Sequence, residues 1–190
     1  MPLPYDAPVR SRDLAQVALF AAIMVVLGFF PLIQLPGAFA PFTSQTLGVI
    51  LAGSILGAKR GALAVLLFVV LVLVGLPVLP GGRGGLSVIL GPTGGFIIAY
   101  PIGALVIGLL TERLWKHYNL PIALAINFLG GAVVLYAIGI PWMAAAANIP
   151  LSKAITTSVA FLPGDAVKTV IGSLAAVAVR RAYPLIPSRA

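Results

Sequence analysis

Residues 14–58 read LAQVALFAAIMVVLGFFPLIQLPGAFAPFTSQTLGVILAGSILGA, without one charged side chain. Arg10, Arg12 and Asp13 precede the run, and Lys59 and Arg60 close it. A membrane-spanning helix needs about 20 apolar residues, so the run is too long for one span and long enough for two. Pro31, Pro36, Gly37 and Pro41 interrupt its middle, where a continuous helix would lose backbone hydrogen bonds. The pattern predicts a first helix over 14–33, a loop over 34–43 and a second helix over 44–58. Arg10 and Arg12, the apolar run and Ala38-Phe39-Ala40 imitate a cleavable leader. However, the run exceeds the ~7–15 residues of a leader's apolar core and Pro41 follows the apparent cut, so retention is expected.

The same alternation continues along the chain. A Leu/Val-rich helix is expected over 61–79, stopped by Pro77 and Pro80, and others over 94–111, 119–140 and 163–182. Residues 143–162, with Asn148, Pro150 and Lys153, read as a connection. Of 190 residues, 61% are hydrophobic and 8% charged, with a mean hydropathy of +1.13. Soluble domains are roughly 25% charged. The expected fold is therefore an all-α integral membrane protein, a compact bundle of six transmembrane helices. It forms a single membrane domain, with tails at 1–13 and 183–190 around a bundle at 14–182.

The net charge of +8, from 12 Lys and Arg against 4 Asp and Glu, is a matter of topology. With six spans, Arg10, Arg12, Lys59, Arg60, Arg113, Lys116, Arg180, Arg181 and Arg189 fall on one side, and Arg83, Lys153 and Lys168 on the other. The excess of basic residues in cytoplasmic loops places both termini in the cytoplasm and leaves nothing that calls for nucleic acid. There is no cysteine, one histidine (His117) and no G-x-x-x-x-G-K-[ST] stretch. These absences remove thiolate and histidine-cluster metal sites and the nucleotide P-loop, and no cofactor is expected.

Ionisable groups inside spans are the first functional suspects in such a chain. Pro163-Gly164-Asp165-Ala166-Val167-Lys168 opens the last helix. Asp165 sits where the helix dipole favours a carboxylate, and Lys168 follows at i+3 on the same face. A ligand site and a capped helix start with a local ion pair both fit. Thr43-Ser44-Gln45-Thr46 opens the second helix. Thr43 or Ser44 suits an N-cap, whereas a Gln45 amide inside a bundle requires partners. The glycine-rich stretch 81–95 contains Gly82, Arg83 and Gly84, and fits an anion-binding backbone or an external turn. Tyr100, Asn127 and Tyr136 are candidates for the wall of such a site, and also for interhelical hydrogen bonds. All three clusters map to the external side, where Gln45, Arg83, Asp165 and Lys168 would frame a pocket for a small, partly apolar organic acid. On the first helix, Ala15, Ala18 and Ala22 form a small-residue stripe that permits close helix approach.

Pro41-Phe-Thr-Ser-Gln45-Thr, the Gly81–Gly85 run, Gly91-Pro-Thr-Gly-Gly95 and Phe161-Leu-Pro-Gly-Asp165-x-x-Lys168 resemble the BioY family. This family comprises the biotin-specific substrate-binding (S) components of energy-coupling-factor transporters. The resemblance covers nearly the whole chain in motif order, with Ala160 where the family pattern often has proline. It implies high-affinity biotin capture on the outer side of a bacterial cytoplasmic membrane. It also implies partnership with a transmembrane T component and two ATPases, with Ala18 and Ala22 facing the T component. Gln45, the glycine loop, Asp165 and Lys168 inherit substrate contact. With no nucleophile–base pair, the chain is not expected to be an enzyme. A self-sufficient facilitator or proton-coupled carrier using Asp165 is the alternative.

Overall fold

The computed structural model describes residues 11–30, 43–183 and 185–186. The expected loop at 34–42, the end of the first predicted helix at 31–33, and most of both tails lie outside the described residues. All regular elements among the described residues are helical, apart from an isolated bridge between Leu79 and Arg83. They are α1 (Ser11–Gly28), α2 (Gln45–Leu56), α3 (Ala58–Leu73), α4 (Leu86–Leu90), α5 (Gly94–Arg113), α6 (Leu120–Phe128), α7 (Leu135–Ala146), α8 (Leu151–Val159) and α9 (Leu162–Ala182). A π-helical turn, Leu129–Val134, joins α6 to α7 into one rod. Among the described residues, four helices are long and apolar enough to cross a membrane: Ser11–Gly28, Gly94–Arg113, Leu120–Ala146 and Leu162–Ala182. Gln45–Leu56 is apolar but shorter.

The bundle is built around α5, which packs against α2, α3 and α7. Close approach depends on glycine. A Cβ on Gly108 would overlap the backbone of Ala58, and one on Gly103 would lie 2.8 Å from the Gly130 carbonyl oxygen. Large apolar side chains point both inward and outward. Phe68, Met24, Ile107 and Leu135 are buried, whereas Val167, Val170, Ile171 and Leu174 of α9 form an exposed stripe. In lipid that stripe carries no solvation penalty, so burial of apolar area does not decide which face is inside. Shape and polar contacts do. One such contact crosses the core: Ser54 donates to the Asn127 carbonyl oxygen at 2.6 Å, and the Asn127 amide donates to Ser173 at 2.9 Å. It ties α2, α6 and α9 together.

Several boundaries differ from the expected ones. The α2–α3 reversal occurs at Gly57 alone, with φ +84°. Lys59 and Arg60 then lie in the first turn of α3 rather than between helices. The Ala58 amide, which has no intrahelical partner there, donates to Glu112 Oε1 at 2.7 Å. The third helix ends at Leu73 instead of 79, because Gly75 adopts φ +99°. The connection at 143–162 contains α8. The fifth predicted helix does not end near Pro141 but runs on to Ala146. Proline removes one backbone donor, and in a tight membrane bundle its neighbours can compensate.

A candidate ligand site at the mouth of the bundle

Phe161 precedes α9, Pro163 occupies its first turn, and the Asp165 amide donates to the Phe161 carbonyl at 3.0 Å. This start aims the Asp165 and Lys168 side chains inward. Lys168 Nζ lies 2.6 Å from Asp165 Oδ1, and both side chains are about nine-tenths buried, at 10% and 8% exposure. The ammonium also donates to the Thr43 carbonyl at 3.0 Å and to Thr46 Oγ1 at 2.6 Å. Asp165 Oδ2 accepts from the Tyr136 hydroxyl at 2.5 Å. Two opposite charges, one phenol and two groups at the start of α2 thus form one network across α2, α7 and α9. Burial of ions is tolerated when they are paired and further hydrogen-bonded, as here.

Beside this network is a cavity of about 80 Å³. Thr43, Gln45, Arg83, Tyr100, Asp165 and Lys168 all line it. These six come from four separate stretches of sequence. Gly82 and Gly84 are not in the lining. The backbone of their loop is engaged elsewhere: the Gly82 and Arg83 amides both donate to the Leu79 carbonyl, and the Gly85 amide to Val72. A Cβ on Gly84 would run into the Leu76 carbonyl, so that glycine serves the tight turn. What the loop offers the cavity is the Arg83 side chain. Its Nε donates to the Pro80 carbonyl at 3.1 Å, and its two Nη groups make no hydrogen bond among the described residues.

Gln45 is buried, with its amide 3.4 Å from the Val78 carbonyl. Ser44 stands at the N-cap position of α2 without making a cap bond. Its hydroxyl instead donates to the Leu27 carbonyl at 2.6 Å, joining α2 to α1. Asn127 is absent from the cavity and belongs to the core network. Thr46 and Phe161, quoted above within motifs, also line the cavity, as does Phe96, which the sequence did not single out. Phe96 lies one turn before Tyr100 on the same face, a spacing that pointed to it. Its ring meets Tyr136 edge-on, with centroids 6.1 Å apart and an 89° interplanar angle. Trp142 donates to the Gly91 carbonyl at 3.0 Å and so holds the Gly91–Gly95 stretch against α7. Ala15, Ala18 and Ala22 are all exposed along α1, away from the cavity. Among the described residues there is no cluster of His, Cys, Asp or Glu able to hold a metal ion.

Helices able to cross a bilayer, set around an ion-paired cavity with aromatic walls, define a multi-pass membrane protein. The family description of BioY matches residues 4–185, and the chain belongs to the BioY family. It is 48% identical over 185 residues to the biotin transporter BioY of Rhizobium etli, covering 95% of this chain and 99% of that one. It is 45% identical over 186 residues to the biotin transporter BioY of Rhodobacter capsulatus, covering 92% and 96%. Among solved structures it resembles the S-component for biotin from an ECF-type ABC transporter, with a TM-score of 0.86 and 33% identity over 90% of this chain and 91% of that one.

Proposed function

We propose that the chain captures biotin at the external face of a bacterial cytoplasmic membrane as the high-affinity subunit of a vitamin uptake system. The observation that carries this is the cavity beside the Asp165–Lys168 pair. Biotin offers a carboxylate, an apolar valeryl chain and thiophane ring, and a ureido group with two N–H donors and a carbonyl. Asp165 retains lone pairs beyond those used by Lys168 and Tyr136 and suits a ureido N–H. Lys168 already makes three bonds. Arg83, with donors to spare, is therefore the better partner for the carboxylate, while Phe96 and Tyr100 wall the rings. At about 80 Å³ the cavity is well below the ~300–1,000 Å³ of small-molecule sites, so the bound state requires its walls to part.

In this reading the chain is a single membrane domain of six spans with both ends cytoplasmic. Lacking a nucleotide motif and a reactive constellation, it performs no bond chemistry. The work of uptake comes from a transmembrane T component and two ATPases, with the exposed Ala15, Ala18 and Ala22 stripe as the contact for the T component. Thr43 and Gln45 shape the polar end of the site. The double engagement of Asp165, by an ammonium and a phenol, speaks for a fixed acceptor over a proton carrier.

Calorimetric titration of the detergent-solubilised protein with biotin and close analogues tests the reading, and absence of biotin binding would overturn it. Reporter fusions at Arg60 and Arg113 are expected to read cytoplasmic and one at Arg83 external. A cytoplasmic signal at Arg83 would refute an external site.

A further inference from the structure

At the opposite end from the biotin cavity, α5 ends in a hollow of about 440 Å³ lined by Leu109, Glu112, Arg113, Trp115, Lys116 and His117. Arg113, Lys116 and His117 are exposed, and their side chains make no hydrogen bond or ion pair among the described residues. Glu112 is committed to the Ala58 amide. One wall is rigid. The Arg180 guanidinium lies 5.0 Å from the Trp115 ring centroid and 5.8 Å from that of Tyr118, and the two rings stack with centroids 6.0 Å apart. Arg180 further donates to the Trp115 and Tyr118 carbonyls. Trp115 is therefore locked in place, while the Arg113, Lys116 and His117 side chains beside it are left for something else.

A second observation says what that is. Ile98, Ile102, Leu105 and Leu109 are all exposed, at 38–42%. Their spacing of i, i+4, i+7 and i+11 makes one continuous apolar stripe along α5, and Arg113 is its next member. The stripe thus runs along a membrane-spanning helix and ends at the water boundary in a basic, aromatic-walled hollow. Such a surface matches an amphiphile with an acyl chain and an anionic head. A free anion would have no use for the stripe.

We propose that this hollow binds the phosphate headgroup of an anionic phospholipid, with an acyl chain lying along the α5 stripe. Arg113 and Lys116 meet the phosphate, and Trp115 sits at the level of the glycerol backbone. Basic pockets at this boundary recognise anionic headgroups by charge, and interfacial tryptophan anchors at that depth.

The test is native mass spectrometry of the full chain in detergent without biotin, with phosphatidylglycerol, phosphatidylcholine of the same acyl chains, or inorganic phosphate. Phosphatidylglycerol is expected to be retained well above phosphatidylcholine. Arg113→Gln with Lys116→Gln is expected to reduce its retention about 25-fold, roughly fivefold for each basic residue near an anionic surface. Lys153→Gln on α8, which removes one positive charge away from the hollow, is expected to leave retention unchanged. Equal retention of both lipids, no effect of the double substitution, or an equal effect of Lys153→Gln would overturn the proposal. Binding of inorganic phosphate that excludes phosphatidylglycerol would assign the hollow to a free anion and overturn the lipid.

Discussion

Two ion pairs among the described residues, Asp165–Lys168 and Asp13–Arg60, occupy opposite ends of the bundle and behave as different kinds of object. Asp165–Lys168 is buried, at 2.6 Å, and the pair is bonded further to a phenol, a hydroxyl and a backbone carbonyl. Asp13–Arg60 is at 3.2 Å with side chains 34% and 22% exposed, and Arg60 spreads its other bonds over Gln16 and the Leu185 carbonyl. Removing one member of the first leaves an uncompensated charge in a dry place. Removing one member of the second leaves a charge that water and salt can reach. A charged residue in a membrane protein is therefore read by its surroundings: the buried pair borders a cavity, and the exposed pair pins a helix to its neighbours.

The largest expected effect tests that distinction directly. Lys168→Met and Asp165→Asn are each expected to weaken biotin binding by about 2–5 kcal/mol, as for one member of a buried charge pair. Affinity and melting temperature are to be measured on the same samples. A fall in melting temperature with affinity intact in the folded fraction would reduce the pair to a helix-start device and erase the contrast.

Next in size is the α1 stripe, which belongs to neither pair. Ala18→Trp or Ala22→Trp is expected to keep biotin binding and to weaken association with a membrane partner by about 1–3 kcal/mol, the cost of forcing bulk into a close-packed seam. Co-purification of the partner is the measurement. Loss of biotin binding with the partner retained would turn the stripe into internal packing.

A neutral buried network should fall below the charged one. Asn127→Leu strands the Ser54 and Ser173 hydroxyls and is expected to cost about 1–2 kcal/mol of stability in thermal unfolding, with biotin affinity little changed. A cost as large as that of Lys168→Met would mean that polarity, not charge, sets the value of the buried pair.

The smallest effect belongs to the exposed pair. Asp13→Asn is expected to cost less than about 1 kcal/mol, and less still as salt is raised. A larger, salt-independent loss would make the two ends equivalent.

Much of this was legible because lipid imposes simple rules. Charges gather at span ends, so Lys59–Arg60 and Glu112–Arg113 marked boundaries within a few residues. The Pro-Gly-Asp-x-x-Lys stretch announced itself because Asp165 is the one acidic residue within the predicted spans. The failures have equally physical causes. Helix α8 was read as a connection because its polar face lowers its hydropathy, although Leu151, Ile155 and Val159 recur at i, i+4 and i+8 and are all exposed. Lys59 and Arg60 resemble turn residues, yet the turn needs only Gly57 and its left-handed backbone. Gly82 and Gly84 were proposed for ligand contact on composition, and composition cannot say that their loop's amides face Leu79 and Val72. The place of Tyr136 against Asp165 depends on the geometry of the rod that carries it, which no periodicity of 3.6 describes.

That rod contains the π-helical turn Leu129–Val134. Such a turn holds one residue more than an α-helical turn while the helices on either side keep their alignment. It works as a phase buffer. Loss of one residue among Gly130, Gly131 and Ala132 would convert it to ordinary helix and leave Asn127 and Tyr136 facing as they do. The same loss a turn later, beyond the buffer, would swing everything after it by about 100°. A one-residue deletion is thus expected to be absorbed at one point of this rod and to turn α7 out of register when made on either side of it.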